Sequence, residues 1–464
     1  MTDDDLPRST PEEQGLPSAA IEALMDRLET DGLEPHSLMI IRHGHVVAEG
    51  WWTPYHRDGV QLLYSLSKSF TSTAVGLAVA AGHFALDDRI AESFPEAAVD
   101  AGPRARSLTV HQVLSMSTGH RTDSLVSMLA RPDQMEAGFF DYEPEEPPGT
   151  WFVYDNGATF MAADLTQQHT GERLVDYLRP RLFDPIGVGP AAWQQTADGR
   201  DLGFTGLHVR TEAIARFGLL IMNDGVWRGE QLLPAGWAAR ATSALVDNSM
   251  NDGDVDWQQG YGYQFWQCRH GAVRGDGAFG QFCIMSPEHD AVVVITAATE
   301  RMQAELDAVW EVLLPAFAAD PLPPDDDAAA RLTRRLAEAE VRPWSGTAEP
   351  SQSGPWRFTH QPTEDNPALT GVTVTTTDAG FALTIDDGGT VVIDGRVGSW
   401  PDVTSPYLAT GGWTDPDTFE ALVVAVETPH HLRLRGRLSA GTLDASWNVL
   451  PLRWRSLADL TAPF

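Results

Sequence analysis

The sequence predicts an α+β fold: an antiparallel sheet flanked by helices, interrupted by a mostly helical subdomain and followed by a small all-β domain. Three observations lead there. Strand-like runs stand at both ends of the first 317 residues, at Leu38–Ala48 and at Tyr261–Ala297. Helical periodicity with long Pro-, Gly- and Asp-rich loops fills about 85–250 between them. After Trp356 the chain turns to short alternating runs separated by Gly, Asp and Pro, as an all-β module does.

The first helix follows Pro17-Ser18, with Ile21, Leu24, Met25 and Leu28 at helix spacing. Leu38–Ile41 and Val46–Ala48 form a hairpin around His43-Gly44-His45. Ser65–Ala81 reads as a helix with Phe70, Ala74, Leu77 and Ala78 on one face. Val110–Leu114, Gly157–Gln168, Leu174–Leu182 and Thr211–Asn223 are the helices of the insertion. Strands follow at Tyr261–Gln267, Gly280–Met285 and Ala291–Ala297, then a helix over Met302–Leu314. Residues 318–350 read as a connector with a short helix at Ala328–Ala339, and 351–464 as the C-terminal domain. Its strands include Val372–Thr375, Phe381–Ile385, Val391–Ile393 and Ala421–Val424.

Across its 464 residues the chain carries a net charge of −33. Such a surface repels nucleic acid and anionic membrane, so neither is expected as a partner. No apolar run approaches the roughly 18 residues of a membrane helix, and the acidic start Met1-Thr2-Asp3-Asp4-Asp5 does not resemble a signal peptide. Cys268 and Cys283 read as reduced core residues of a cytoplasmic protein, with a single bridge as the alternative. His43, His45, His111 and His120 show no metal-ligand spacing, and no Asp-rich run fits a calcium loop, so no metal or cofactor is expected.

Lys68 is the one lysine; the other 31 of the 32 Lys+Arg residues are arginine. Arginine does not give up its proton, whereas a buried lysine can. Lys68 stands three residues after Ser65, so a helix would put both side chains on one face. An amine there can take the serine proton. In Pro148-Gly149-Thr150-Trp151-Phe152-Val153-Tyr154-Asp155-Asn156, Tyr154 can serve as a base if a cation lowers its pKa, and Asn156 can hold an ammonium or a carbonyl. Arg274-Gly275-Asp276-Gly277-Ala278-Phe279-Gly280-Gln281 is a glycine-rich strand entry that lets a substrate approach and leaves backbone N–H groups for an oxyanion.

Together Tyr64–Ser72, Gly82–Asp88, Leu114–His120, Pro148–Thr150, Tyr154–Asn156, Leu182–Gly187, Ala215–Leu220 and Gly275–Gln281 resemble the serine β-lactamase and penicillin-binding-protein superfamily. The closest type is its class C-like branch of esterases, D-aminopeptidases and amide hydrolases. The resemblance spans about 10–316 and implies a β-lactamase/transpeptidase-like fold there; the C-terminal module lies outside it. It implies Ser65 as nucleophile and Lys68 as its activator, with Tyr154 as partner base and proton shuttle; which of the two takes the first proton is open. It implies Asn156 as a positioning residue, and an oxyanion hole from the N–H of Ser65 and of Ala278 or Phe279. Where the family's third motif opens with lysine or histidine, this chain has Gly275 or Asp276, the register being open by one residue. The missing cation argues against substrates held by a carboxylate.

The function expected is hydrolysis of small carboxylic esters through an acyl-enzyme on Ser65. Amidase or D-amino-acid peptidase is the alternative, and a non-catalytic penicillin-recognising sensor is the alternative of another class. The partner is a small-molecule ester or amide. Trp51-Trp52-Thr53-Pro54-Tyr55 either lines the acyl pocket or packs in the core, and the loops 121–147 and 188–206 are expected to shape the pocket. For the β module, shaping the site's mouth and supporting a homodimer are both open.

Overall fold

The computed structural model describes residues 5–453 and 455–464. The acidic start Met1–Asp4 lies outside the described residues.

Residues 38–41 are apolar on both sides of the pleat, so they form a strand only if both faces are covered. They do: β1 (Pro35–Arg42) is buried throughout and joins β2 (His45–Trp51), β3 (Trp266–Gln267), β4 (Val273–Gly277), β5 (Gln281–Ser286) and β6 (Ala291–Ala297). The sheet order is β2-β1-β6-β5-β4-β3, and its pairings are antiparallel. Side chains alternate between two cores. Leu38, Ile40, Phe282, Ile284, Val293 and Ile295 face helices α1 (Ser18–Thr30), α5 (Met302–Ala308) and α6 (Asp326–Ala337). Met39, Ile41, Cys283, Met285, Val292 and Val294 face the helical subdomain. There α2 (Ser67–Ala80), α3 (Asn156–Thr170) and α4 (Thr211–Met222) are packed together.

Most elements fall where the sequence puts them. The expected strand Tyr261–Gln267 does not: only Trp266–Gln267 is a strand, and Tyr261 makes isolated bridges. Gln264, at φ 63°, interrupts the extended run. Its side chain instead bridges Thr159 and the Leu114 carbonyl. The cysteines are free and buried, one in each core.

The C-terminal domain closes into an eight-stranded barrel. Its strands are β7 (Trp356–Thr359), β8 (Leu369–Thr377), β9 (Gly380–Asp387), β10 (Thr390–Arg396), β11 (Tyr407–Asp415), β12 (Thr418–Ala425), β13 (His431–Arg437) and β14 (Thr442–Trp447). Each pairs with its neighbour in sequence, and β14 returns to β7. Alternation again sorts the side chains: Ala421, Val423 and Ala425 fill the barrel, while Leu422 and Val424 join the core around α1 and α6. The connector is therefore not a free linker. Asp325 caps α6 by accepting from the Ala328 N–H, and Leu332 and Leu336 pack into the core shared by both domains.

Candidate active site

Ser65 sits in a 3-10 turn, Tyr64–Leu66, that runs into α2 at Ser67, so it precedes the α-helix by two residues. The i, i+3 relationship with Lys68 survives. Lys68 Nζ is 2.9 Å from Ser65 Oγ, 2.7 Å from Asn156 Oδ1 and 2.8 Å from the Phe204 carbonyl. Lys68 is 1% exposed. Burial lowers its pKa to about 7, against the opposing charges of Asp123, Asp276 and Asp155. Two fixed acceptors take two N–H groups. A neutral amine held this way turns its lone pair toward Ser65 Oγ.

Asn156 opens α3, and Asp155 is its cap: the Asp155 carboxylate accepts from the Ala158 N–H. Asn156 is oriented by Asp123, whose carboxylate accepts from Asn156 Nδ2 at 2.6 Å and from its backbone N–H at 2.9 Å. Burial and then the charge of Asp155 raise the pKa of Asp123. Burial also raises that of Asp155, but His120 and Ser124 outweigh it and the net shift is downward. Ser124 donates its N–H and its hydroxyl to Asp155, and His120 Nδ1 lies 3.2 Å away.

Tyr154 stacks on Trp266 at 5.3 Å, and Lys68 Nζ lies 4.8 Å from the Tyr154 ring centre. Burial, reinforced by Asp276, drives the phenol well above its ordinary pKa of 10, with the Ser65 hydroxyl opposing. The nearby cation does not make it a phenolate.

In β4 the glycines face the segment that carries Ser65. A Cβ on Gly277 would come 1.9 Å from the Leu63 carbonyl oxygen and 3.1 Å from Ser65 N. One on Gly275 would meet Leu66 and Ser69 side chains. Arg274 and Asp276 pair at 3.0 Å. Arg274 is wholly buried, bonded to the Asp256 carbonyl and the Cys268 sulfur and stacked over Trp257. Asp276 faces the cavity together with Ala278, whereas Phe279, at φ 69°, turns its ring to Tyr64 and His430.

These residues border a cavity of about 690 Å³. Leu125, Leu129, Phe204, Trp257, Trp266 and Met302 give it an apolar wall; Asp254, Asp276 and Glu300 add acidic groups. The loops 121–147 and 188–206 contribute as expected, through Leu125, Leu129, Gln194, Phe204 and Thr205. Trp52 and Tyr55 are packed in the shared core and do not reach it.

Four contributions escaped the sequence reading: the Phe204 carbonyl, Asp123, the His120–Asp155 pair, and the C-terminal residues Leu452, Arg453 and Leu460, which line the cavity. Arg453 thus brings an arginine from the C-terminal domain to the cavity wall. Asp123 had one available signal, its place three residues after His120, at the end of a recognised motif.

The sheet between two helical layers, with a serine and a lysine one turn apart at its edge, is the architecture of a β-lactamase-type hydrolase. The chain belongs to the beta-lactamase family, whose model matches residues 13–318. It is 26% identical over 285 residues to 6-aminohexanoate-dimer hydrolase of Paenarthrobacter ureafaciens, covering 56% of this chain and 71% of that one. It is 26% identical over 159 residues to lovastatin esterase of Penicillium rubens, covering 29% of this chain and 40% of the relative. Among solved structures, the octameric penicillin-binding protein homologue from Pyrococcus abyssi is similar at TM-score 0.50 and 15% identity, over 92% of this chain and 97% of that one. That likeness extends through the C-terminal domain. Among the described residues no helix is long and apolar enough to cross a membrane.

Proposed function

We propose that this protein hydrolyses small carboxylic esters with an apolar acyl group, through an acyl-enzyme on Ser65. The observation that carries the reading is the buried Lys68 amine, 2.9 Å from Ser65 Oγ and held by Asn156 and Phe204. With its pKa lowered to about 7, a large fraction of Lys68 is neutral at physiological pH.

Lys68 Nζ takes the Ser65 proton as Oγ attacks the ester carbonyl. The N–H groups of Ser65 and Ala278 receive the oxyanion, each such donor being worth about 2.7–4 kcal/mol. Collapse of the tetrahedral intermediate expels the alkoxide, which takes its proton from the neutral Tyr154 phenol; Lys68 returns a proton to Tyr154. A water molecule then attacks the acyl-serine with the same groups acting in reverse. The apolar wall around Leu125, Phe204 and Trp257 favours an aliphatic or aromatic acyl chain.

A second reading, an amidase for substrates bearing a free amine, is favoured by Asp254 and Glu300 on the cavity wall and by the likeness to a 6-aminohexanoate-dimer hydrolase. Steady-state turnover of p-nitrophenyl acetate and butyrate against the matching anilides and a D-alanine amide separates the two. The ester reading expects butyrate to exceed acetate and esters to exceed anilides by at least about tenfold, ~1.4 kcal/mol of barrier. Equal or faster turnover of the D-alanine amide replaces it with the amidase reading. No turnover of any of them refutes both.

A further inference from the structure

Away from the catalytic cavity, three ligand-type side chains meet where the barrel docks on the hydrolase domain. Glu34 Oε1 is 3.1 Å from His431 Nδ1 and 3.7 Å from His36 Nε2. One ligand atom from each lies within 4.8 Å of the others. Glu34 precedes β1, His36 is its second residue, and His431 opens β13, so the two domains both contribute. We propose that Glu34, His36 and His431 form a binding site for a divalent transition-metal ion of the zinc type, fastening the barrel to the catalytic domain.

Three observations support this. First, His36 is fully buried, yet neither ring nitrogen has a hydrogen-bond partner. A buried polar ring without partners calls for one, and a metal bound at Nε2 supplies it. Second, the spacing fits. A tetrahedral ion with bonds of about 2.0–2.2 Å separates its ligand atoms by roughly 3.4 Å, and the two measured separations fall on either side of that. Third, the outer contacts are those of a ligating imidazole. His431 Nε2 is 2.9 Å from the Tyr55 hydroxyl, which also reaches the Thr428 carbonyl at 3.3 Å. With Nε2–H given to Tyr55, His431 leaves its Nδ1 lone pair to the ion, and Tyr55 fixes the ring's tautomer. Tyr55 also stacks on His36 at 3.7 Å, and Asn448 Nδ2 donates to Glu34 Oε1. Glu34 is 28% exposed and with His431 borders a surface cleft beside Gly32 and Trp344, an entry path for the ion and for a water as fourth ligand.

Two imidazoles and one carboxylate select zinc-like ions over magnesium or calcium. The histidines stand at opposite ends of the chain, so no local spacing announces them. The site bears on the nucleophile through the segment 426–431. Val426 and Glu427 hold Gln61 and Leu62 by their carbonyls, and His430 holds Tyr64.

The test uses the full chain, free of any affinity tag and stripped with EDTA, titrated calorimetrically with zinc chloride beside His36→Phe and Glu34→Gln. His36→Phe keeps the ring stack on Tyr55 and cannot ligate; Glu34→Gln is part-exposed and keeps its shape, so one of the two remains folded. The proposal expects one equivalent of zinc with a Kd below about 1 µM, at least a hundredfold weaker in the variants, and a rise in Tm with zinc in the wild type only. Cobalt in place of zinc gives intense visible bands of tetrahedral type in the wild type, lost in the variants. Millimolar-only zinc affinity, affinity unchanged in both variants, or equal binding of calcium each overturns it.

Discussion

Asn156 passes one amide group to each of two partners: its Nδ2 goes to Asp123 Oδ2 at 2.6 Å, and its Oδ1 accepts from Lys68 Nζ at 2.7 Å. Asp123 therefore fixes which end of the amide faces the lysine, though it touches neither Lys68 nor Ser65 by a hydrogen bond. Its charge also opposes the fall of the Lys68 pKa. In Asp123→Asn the acid limb of kcat/KM moves to lower pH, because the charge favouring the ammonium is gone. At the same time kcat falls about tenfold, the loss expected of one charge-assisted hydrogen bond of ~1.5 kcal/mol. A pH–rate series on both proteins checks the two signs together; a purely structural role for Asp123 leaves the limb where it was.

In the wild type that limb has its midpoint near pH 7 on a neutral ester, since the amine of Lys68 is the active form and its pKa is about 7. Below it kcat/KM drops about tenfold per pH unit. The same shift acts on stability. The ordinary lysine value is 10.5 and the folded one is lower, so between the two the unfolded chain binds more protons. The Lys68 contribution to unfolding free energy therefore rises with pH from about 7 to 10.5, and its full penalty is present below 7. Urea unfolding of the wild type and Lys68→Met at pH 6 and pH 9 reads this: the stability gained by the substitution is larger at pH 6.

Gly277 and Gly275 differ in what a methyl group would strike. At Gly277 it meets the rigid Leu63 carbonyl and the Ser65 backbone N–H; at Gly275 it meets the ends of Leu66 and Ser69 side chains. Gly277→Ala is expected to lower kcat by about 10²–10³, as loss of an oxyanion donor does. Gly275→Ala is expected to cost markedly less. The comparison of kcat for the two variants checks the order.

Tyr64 precedes Ser65, sits at φ 46°, and its hydroxyl is 2.5 Å from His430 Nε2 in the barrel. Tyr64→Phe strands a buried imidazole nitrogen, which costs about 1–3 kcal/mol. A lowered Tm with reduced kcat is expected; unchanged values of both would separate the barrel from the active site.

What the sequence disclosed follows the range of each interaction. Ser65 and Lys68 are three residues apart, and Tyr154 and Asn156 two, so local geometry made them readable. Strand alternation in 421–425 announced a buried module, but not that Leu422 and Val424 would pack outward on the hydrolase core. Asp123, the Phe204 carbonyl and Arg453 reach the site by tertiary placement alone. The break at Gln264 was hidden because its apolar neighbours Tyr263 and Phe265 read as a strand, while its side chain had distant partners to satisfy. Arg274 and Asp276, two residues apart, lie on one face of β4 and pair with each other, a contact that the sequence left open.

The most direct measurement is intact mass after a brief pulse of p-nitrophenyl butyrate, for the wild type and Ser65→Ala in parallel. The account predicts one butyryl group on the wild type, mapped to the peptide carrying Ser65, with nitrophenol released in a burst, and neither in the variant. Undiminished turnover by Ser65→Ala, or a butyryl group on another residue that is competent for turnover, would contradict it.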